Sequence, residues 1–544
     1  TGSIAVDGVS TATITSNAIK EAAAAALTAA GLNADDYKIE VKADATKAED
    51  STVDADVVIV GAGGAGMTAA ITAAAEGKSV VIVESQAMVG GNSVRATGGM
   101  NAGKTVYQDE NEFAEGAGVE KTLKTAAEKY ADNETITALA KTVSEQWAEY
   151  QKNPTGYFDS VELMELDTMI GGKGINDPAL VETLCSNSAD AIDWLGEQGI
   201  TLNSVSSAGG ASVKRIHRPV NEEAKSSPWV LIWCPAGGGL PEAGVQIMVN
   251  TTATEILTDD NGAAVGIKAT GASGETITIN AKAVILTSGG FGANMDMVVE
   301  YKPELKGFMT TNAPGILGQG IKMAQAIGAD TVDMDQIQIH PTVQYDSASL
   351  ITEGLRGDGA VLINSEGKRF IDEVGTRDVV SAAEIAQPGS YSWLVVDQAM
   401  VDASSVIQGY IKKGYTFEGK TYEELAEQIG VDGAALAETM NTWNGYVEAK
   451  NDPDFGRTSF ADKLDTAPYY AIKVTAGVHH TMGGLKINTN TEVLNENGEV
   501  IPGLFAAGEV TGGVHGANRL GGTAVSDFVV FGRIAGAAAS KYAA

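Results

Sequence analysis

The chain has 544 residues, 44% hydrophobic and 20% charged, an ordinary globular composition that is too long for one compact core and points to two or three domains. With 37 basic against 70 acidic residues the formal charge is −33, which disfavours nucleic acid as a partner and obliges any anion site to carry its own cluster of Arg and His. No apolar run reaches the roughly 20 residues of a membrane helix, and neither Cys185 nor Cys234 sits in a CxxC pair, so zinc knuckles, iron–sulfur clusters and haem attachment are excluded and no metal is expected.

Residues 1–16 are small and polar. An Ala-rich helix is expected from Ser16 to about Ala30, with Gly31 as its C-cap, and the acidic stretch 33–52 reads as a linker. A chain opening on Thr1, without an initiator Met or a signal peptide, is expected to be a trimmed product of something longer. The segment Ala55–Val60 then reads as a buried parallel strand. It is followed by Gly61-Ala-Gly-Gly-Ala-Gly66, a helix of small residues, and a second strand, Ser79–Val83, that ends at Glu84.

That unit is a dinucleotide-binding βαβ start. Gly61 allows a tight turn after the strand, Gly63 lets the backbone approach a pyrophosphate, and Gly66 permits close helix–strand packing, with Gly64 and Ala65 between them. The helix N-terminus offers N–H groups and a positive dipole end to phosphates, and Glu84 is placed to accept from a ribose diol. A nucleotide-free Gly-rich turn is the bland alternative; the strand before, the helix after and the acid at the second strand's end argue against it.

Two further segments choose FAD over a nicotinamide. Gly90-Gly-Asn-Ser93 and Ala96-Thr-Gly-Gly-Met-Asn101 follow the second strand directly and offer Gly91, Asn92, Ser93, Thr97, Gly98 and Gly99. Helical patterns fill roughly 110–200, and residues 246–285 read as a β-meander that ends in the strand Ala283–Thr287 and the turn Ser288-Gly-Gly290. A mixed region, about 342–478, precedes the strand Gly503–Ala507, the segment Gly508-Glu509, a Gly-rich loop and a helix from about Gly522. An extended FAD needs both ends of the chain at one site, and the last helix can aim its N-terminus at the flavin pyrimidine edge. Ser85, Ala253, Gly290, Glu509, Gly522, Ala524 and Val525 complete the expected cofactor wall.

Six motifs then appear in order: Gln338-Ile-His-Pro-Thr342, Thr352-Glu-Gly-Leu-Arg-Gly357, Gly367-Lys-Arg-Phe370, Thr376-Arg-Asp378, His479-His-Thr-Met-Gly-Gly484 and His515-Gly-Ala-Asn-Arg-Leu-Gly-Gly522. Together they closely resemble the flavoprotein of soluble fumarate reductases of the flavocytochrome type, over about residues 52–540. His217, after Gly209-Gly-Ala-Ser-Val and before Arg218-Pro219, also fits. The resemblance implies an α/β fold: a Rossmann-like FAD-binding domain (53–341 and 479–544) with an inserted α+β capping domain (342–478). It implies reduction of the C=C bond of a short unsaturated carboxylate, most simply fumarate to succinate. His480 and Arg519 would hold one carboxylate, while His340 and Thr352, with Glu353 nearby, would hold the other. Hydride would come from FAD, and Arg377 would protonate the neighbouring carbon and be resupplied through Glu353 and Arg356. Related membrane-bound enzymes attach FAD to a His beside the Gly-Gly-x-Ser stretch; here Gly90–Arg95 has none, so FAD is expected to be non-covalent.

Plainer readings stand beside these. A His before Pro is often a turn residue, and Arg356 and Arg377 could be ion-pair partners of nearby acids. Arg369 is assigned no role, Asp378 is taken to orient backbone, and His479 and His515 are taken as supporting residues. Asp7–Ser16 resembles the end of a small FMN-binding domain, making 1–32 its remnant and Thr13 the FMN-bearing residue of the full-length protein; the family pattern has Gly where Thr11 stands. Such proteins pass electrons from an FMN domain or an external redox protein to FAD, and usually work outside the cytoplasm. Residues 226–240, with Pro228, Pro235 and three consecutive Gly, replace an amphipathic helix of the family by a local variation or a shifted reading of the sequence. The rival functions are reduction of another 2-enoate (urocanate, methacrylate, an aryl acrylate), an aspartate oxidase or succinate dehydrogenase activity, and a non-enzymatic electron carrier.

Overall fold

The computed structural model describes residues 48–96, 99–207, 209–219 and 244–544, with scattered positions between 20 and 37. Thr13, Thr97, Gly98 and the segment 226–240 lie outside the described residues. At positions 20, 22–25 and 27–28 the backbone is helical, inside the span expected for the first helix.

An eight-stranded sheet forms the base of the molecule. Its central strand, Ser51–Val60, runs parallel to Val80–Val83 on one side and to Thr276–Leu286 on the other. Val57, Val58 and Ile59 are fully buried, as an unbroken apolar run between two covered faces requires. The strand starts four residues earlier than its hydrophobic run, because Ser51–Ala55 pairs with Ile277–Ala281. Val245–Met248, expected to open the meander, instead adds in parallel to Val80–Val83; the antiparallel hairpin is made by Thr252–Thr258 and Ala264–Thr270, which continues onto Thr276–Leu286. The late strand Val500–Ala506 completes the core by running parallel to Thr276–Leu286.

Two helices cover one face. Gly64–Ala75 packs along the C-terminal helix Thr523–Tyr542, and small residues set their closeness: a Cβ at Gly532 would lie 2.9 Å from the Ala65 carbonyl oxygen, and one at Gly536 2.5 Å from that of Ala69. The predicted helical region consists of Gly116–Lys129, Glu134–Lys152, Val161–Gly171, Pro178–Ser186 and Ser188–Glu197.

A second, antiparallel sheet of five strands stands apart from the first. Tyr469–Thr481 is its hub, pairing with Ile337–Gln344, Ser392–Asp397 and Thr416–Gly419, while Val361–Ile363 extends Ser392–Asp397. In the register of the first pair Gln338 faces His480 and His340 faces Gly477, with irregularities after Gln338 and after His340. Backbone pairing thus brings two motifs about 140 residues apart side by side. Among the described residues no helix is long and apolar enough to cross a membrane.

Candidate active site

The turn after Ser51–Val60 follows from its glycines. Gly61 adopts φ +106°, and a Cβ there would stand 2.6 Å from the Thr287 carbonyl oxygen. A Cβ at Gly66 would come within 2.0 Å of the Gly61 carbonyl oxygen, so this position is sealed by helix–strand packing. Gly63 differs: nothing lies within 4 Å of the Cβ it lacks, and the space is a deep cavity. Gly63 caps the helix Gly64–Ala75 with no side chain of its own; the Gly64 N–H donates to Ser93 Oγ (3.0 Å), and the N–H groups that follow in the first turn are left for an anion.

The cavity runs from this turn past Glu84, Ser85 and Ala253 to Gly91, Asn92, Ser93 and Gly99, and then along Glu509, Gly522, Ala524 and Val525. Gly61, Gly64 and Ala65 line it as well. Two expected cofactor residues do not: Gly66 for the reason above, and Gly290, whose missing Cβ would collide with Thr481 Oγ1 at 1.9 Å; Ser288 and Gly289 form the wall instead. Glu84 is buried in the cavity's edge, its carboxylate accepting from the backbone N–H of Ala62 (3.0 Å) and Gln86 (2.8 Å). Burial pushes the Glu509 carboxyl up to about 7, opposed by the Thr481 N–H that it accepts at 3.0 Å. Asn92 joins Glu509 (3.4 Å) to Asn312 (2.7 Å). A long cavity with an open glycine beside one helix N-terminus, and the start of a second helix at its far end, fits FAD.

The same cavity ends in a cluster of two arginines and two histidines: Arg377, His479, His480 and Arg519. His480 is buried with both ring nitrogens unpartnered among the described residues, as is Nε of Arg519. Orphaned buried groups of this kind cost about 1–3 kcal/mol each, so they mark the place of a ligand with several acceptors. Burial and the Arg519 charge hold His480 well below the usual imidazole range; burial and Arg377 do the same to His340. Both rings are therefore neutral at pH 7. The backbone N–H of Thr342 donates to His340 Nδ1 (3.2 Å), which places the ring proton on Nε2.

His340, Thr352, Glu353 and Arg377 line a smaller adjoining cavity, and Arg377 is the residue it shares with the end that holds His480 and Arg519. Arg377 opens the helix Arg377–Ile385 and grips Glu353 Oε2 through Nη2 (2.6 Å) and Nε (3.1 Å). Arg356 Nη2 donates to the other carboxylate oxygen, Glu353 Oε1, at 3.1 Å. Burial alone would push Glu353 up, but Arg377 and Arg356 override it and hold the carboxyl at about 2. An unbroken Arg377–Glu353–Arg356 chain results.

Gln338 was missed as a functional residue, although it stands in the first motif. Its Oε1 accepts from Arg377 Nη1 (2.9 Å), and its Nε2 donates to Asn518 Oδ1 (2.7 Å) and to the Arg519 carbonyl (2.8 Å). One amide therefore spaces the two arginines. His479 bonds Thr311 Oγ1 (2.7 Å), and His515 pairs with Asp527 (2.9 Å) beneath His480. His217 is locked between the Arg215 carbonyl (2.8 Å) and Thr105 (2.6 Å). Asp378 pairs with Lys173 at 2.8 Å. Arg369 is structural: it clamps Glu373 and Asp452 and lies over the Trp443 ring.

Fold and site define an FAD-dependent oxidoreductase. The chain matches the FAD binding domain family over residues 56–158 and 149–525. It is 41% identical over 487 residues to a fumarate reductase (cytochrome) of Shewanella frigidimarina, covering 90% of this chain and 77% of that one. It is 36% identical to a urocanate reductase of Eggerthella lenta, covering 99% and 83%. The open conformation of a flavocytochrome c3 fumarate reductase superposes with a TM-score of 0.68 at 38% identity, over 90% of this chain and 79% of that one. The chain belongs to the FAD-binding flavoprotein family that contains the flavocytochrome-type fumarate reductases.

Proposed function

We propose that this chain reduces the C=C bond of a short 2-enoate carrying a second carboxylate, with fumarate to succinate as the reaction. The observation that carries the reading is the end of the cofactor cavity: His480 and Arg519 present unpartnered buried donors there, beside the Arg377–Glu353–Arg356 chain. Bound along the glycine-lined wall and Glu84, Asn92 and Glu509, reduced FAD supplies the hydride. His480 and Arg519 bind one carboxylate, the guanidinium offering the fork that matches it. His340 donates from Nε2 to the second, with Thr352 alongside. Arg377 gives its proton to the carbon next to the one that receives hydride. Arginine is a poor acid, with an unperturbed pKa above about 12, so the step needs immediate replacement of that proton. Glu353 and Arg356 stand in direct hydrogen-bond contact to provide it.

Closure of the two sheets' loops over the substrate excludes water from these groups. The electron donor in this reading is an FMN-carrying domain with Thr13 as attachment residue, acting outside the cytoplasm. Anaerobic oxidation of reduced viologen by the FAD-loaded chain tests the substrate. Turnover with fumarate at low concentration supports the dicarboxylate reading. Turnover with urocanate or an acrylate and none with fumarate would overturn it and leave the protonation chemistry in place.

A further inference from the structure

The buried polar groups do not stop at Arg356. Helix Arg377–Ile385 carries Arg377, Ser381 and Glu384 at spacings of four and three residues, which stacks them on one face. All three are buried. Glu384 Oε1 accepts from the Ser392 hydroxyl at 2.5 Å, whereas Glu384 Oε2, Ser381 Oγ and Arg356 Nε have no partner among the described residues. These are the polar groups that an ordered water joins inside a protein. The residues after Glu384 lead outward: Ala386, Pro388, Gly389 and Ser390 are exposed.

Glu384 differs in kind from its neighbours. Glu353 and Glu373 are each gripped by two arginines, and in Glu353 the two charges hold the carboxyl at about 2. Among the described residues no cation bonds Glu384. The groups acting on it are the Ser392 hydroxyl, from the strand Ser392–Asp397, and the Arg356 charge, from the short helix Gly354–Gly357; burial outweighs both and pushes its carboxyl up to about 8. It is therefore a neutral acid at pH 7. The Arg377–Glu353–Arg356 chain, two cations around an anion, conducts a proton and has no neutral acid of its own to store one.

We propose that Glu384 is the proton reservoir of this site, refilling Arg356 after each turnover. The inference rests on the reading in which Arg377 protonates the substrate. When the new C–H bond forms, Arg377 regains a proton through the Glu353 carboxylate from Arg356. The Glu384 O–H bond then breaks, an N–H bond re-forms on Arg356, and the Glu384 carboxylate takes a proton from solvent at the exposed turn. Glu384 touches neither substrate nor cofactor; it is a positioning and supply residue.

The test compares Glu384→Gln and Glu384→Asp with the unaltered FAD-loaded chain. With fumarate and reduced viologen, Glu384→Gln is expected to lower kcat by about tenfold or more at unchanged KM. It should also raise the solvent deuterium isotope effect and erase the fall in kcat expected of the unaltered chain as pH passes about 8. Glu384→Asp, which keeps a carboxyl, recovers part of the loss. Independently of turnover, infrared spectra of the oxidised protein should show a protonated-carboxyl C=O band at neutral pH that Glu384→Gln lacks. Unchanged kcat and pH profile in Glu384→Gln, or no such band in the unaltered chain, overturns the proposal. If Glu384→Gln fails to retain FAD, the band and the Glu384→Asp kinetics decide. Glu353→Gln separates the two layers: full turnover in that variant sinks the protonation reading itself, while its loss beside a normal Glu384→Gln sinks only the reservoir.

Discussion

The cofactor wall and the substrate wall meet near Arg519 and Gly522, yet they are made of different material. On the cofactor side the surface is mostly backbone: Gly61, Gly63 and Gly64, Gly91, Gly99 and Gly522, with Glu84 and Asn92 as sparse polar fixtures. On the substrate side it is polar side chain, the charged Arg377, Arg519 and Glu353 and the neutral rings of His340 and His480, all buried or nearly so. A large cofactor is recognised by shape and helix ends, so the residues that matter there are those that withhold a side chain. A small dicarboxylate has little shape to read, and recognition falls to paired donors whose burial makes each one strong.

Substitutions should therefore fail differently on the two walls. The largest effect belongs to Arg377→Ala, which is expected to keep FAD and bind fumarate while losing on the order of 10²–10⁴-fold in kcat, the range for a proton-transfer group; near-normal turnover would remove Arg377 as donor. Arg519→Ala removes a buried partner of the carboxylate and should weaken fumarate binding by about 2–5 kcal/mol, read as a raised KM. Among the glycines, Gly66→Ala should cost about 1–3 kcal/mol of fold stability by overpacking, measured by urea unfolding. Gly63→Ala, into open space, should leave unfolding within about 0.5 kcal/mol and weaken FAD in a flavin titration. If Gly63→Ala unfolds the protein and Gly66→Ala does not, the division between cavity and packing glycines is wrong. The smallest effect is a null one. His340 and His480 are held well below the ordinary imidazole range, so acidification does not charge them until well under pH 6.5. KM for fumarate should stay flat from about pH 6 to about pH 8; a step near the ordinary value would mean that imidazolium binds the substrate.

How much of this was legible in the sequence followed the distance over which each feature is decided. The strand, the Gly61–Gly66 turn and Glu84 are local, and their spacing carried them. Five of the six motifs supply residues to two adjoining cavities that share Arg377, with His480 and Arg519 in one and His340 and Glu353 in the other. What escaped was set by contacts between distant segments. Val245–Met248 joins the sheet edge because Val80–Val83 has a free side, not because of its own pattern. Gly532 and Gly536 look like ordinary breaks in a helix until Ala65 and Ala69 are placed against them. Gln338 matters only because Asn518 and Arg519 arrive 180 residues later in the chain, and Gly290 was assigned to a wall that its neighbours Ser288 and Gly289 form.

The sheet order has a consequence for how the protein comes into being. Ser51–Val60 waits for Thr276–Leu286, which in turn waits for Val500–Ala506, and the helix that covers Gly64–Ala75 spans Thr523–Tyr542. During synthesis Ser51–Val60 therefore finds Val80–Val83 early, but its Thr276–Leu286 side and the face of Gly64–Ala75 stay uncovered until the residues up to Tyr542 have left the ribosome. Pairings of such sequence separation fold slowly and leave aggregation-prone intermediates. The full cofactor wall thus exists only once Thr523–Tyr542 has docked on Gly64–Ala75.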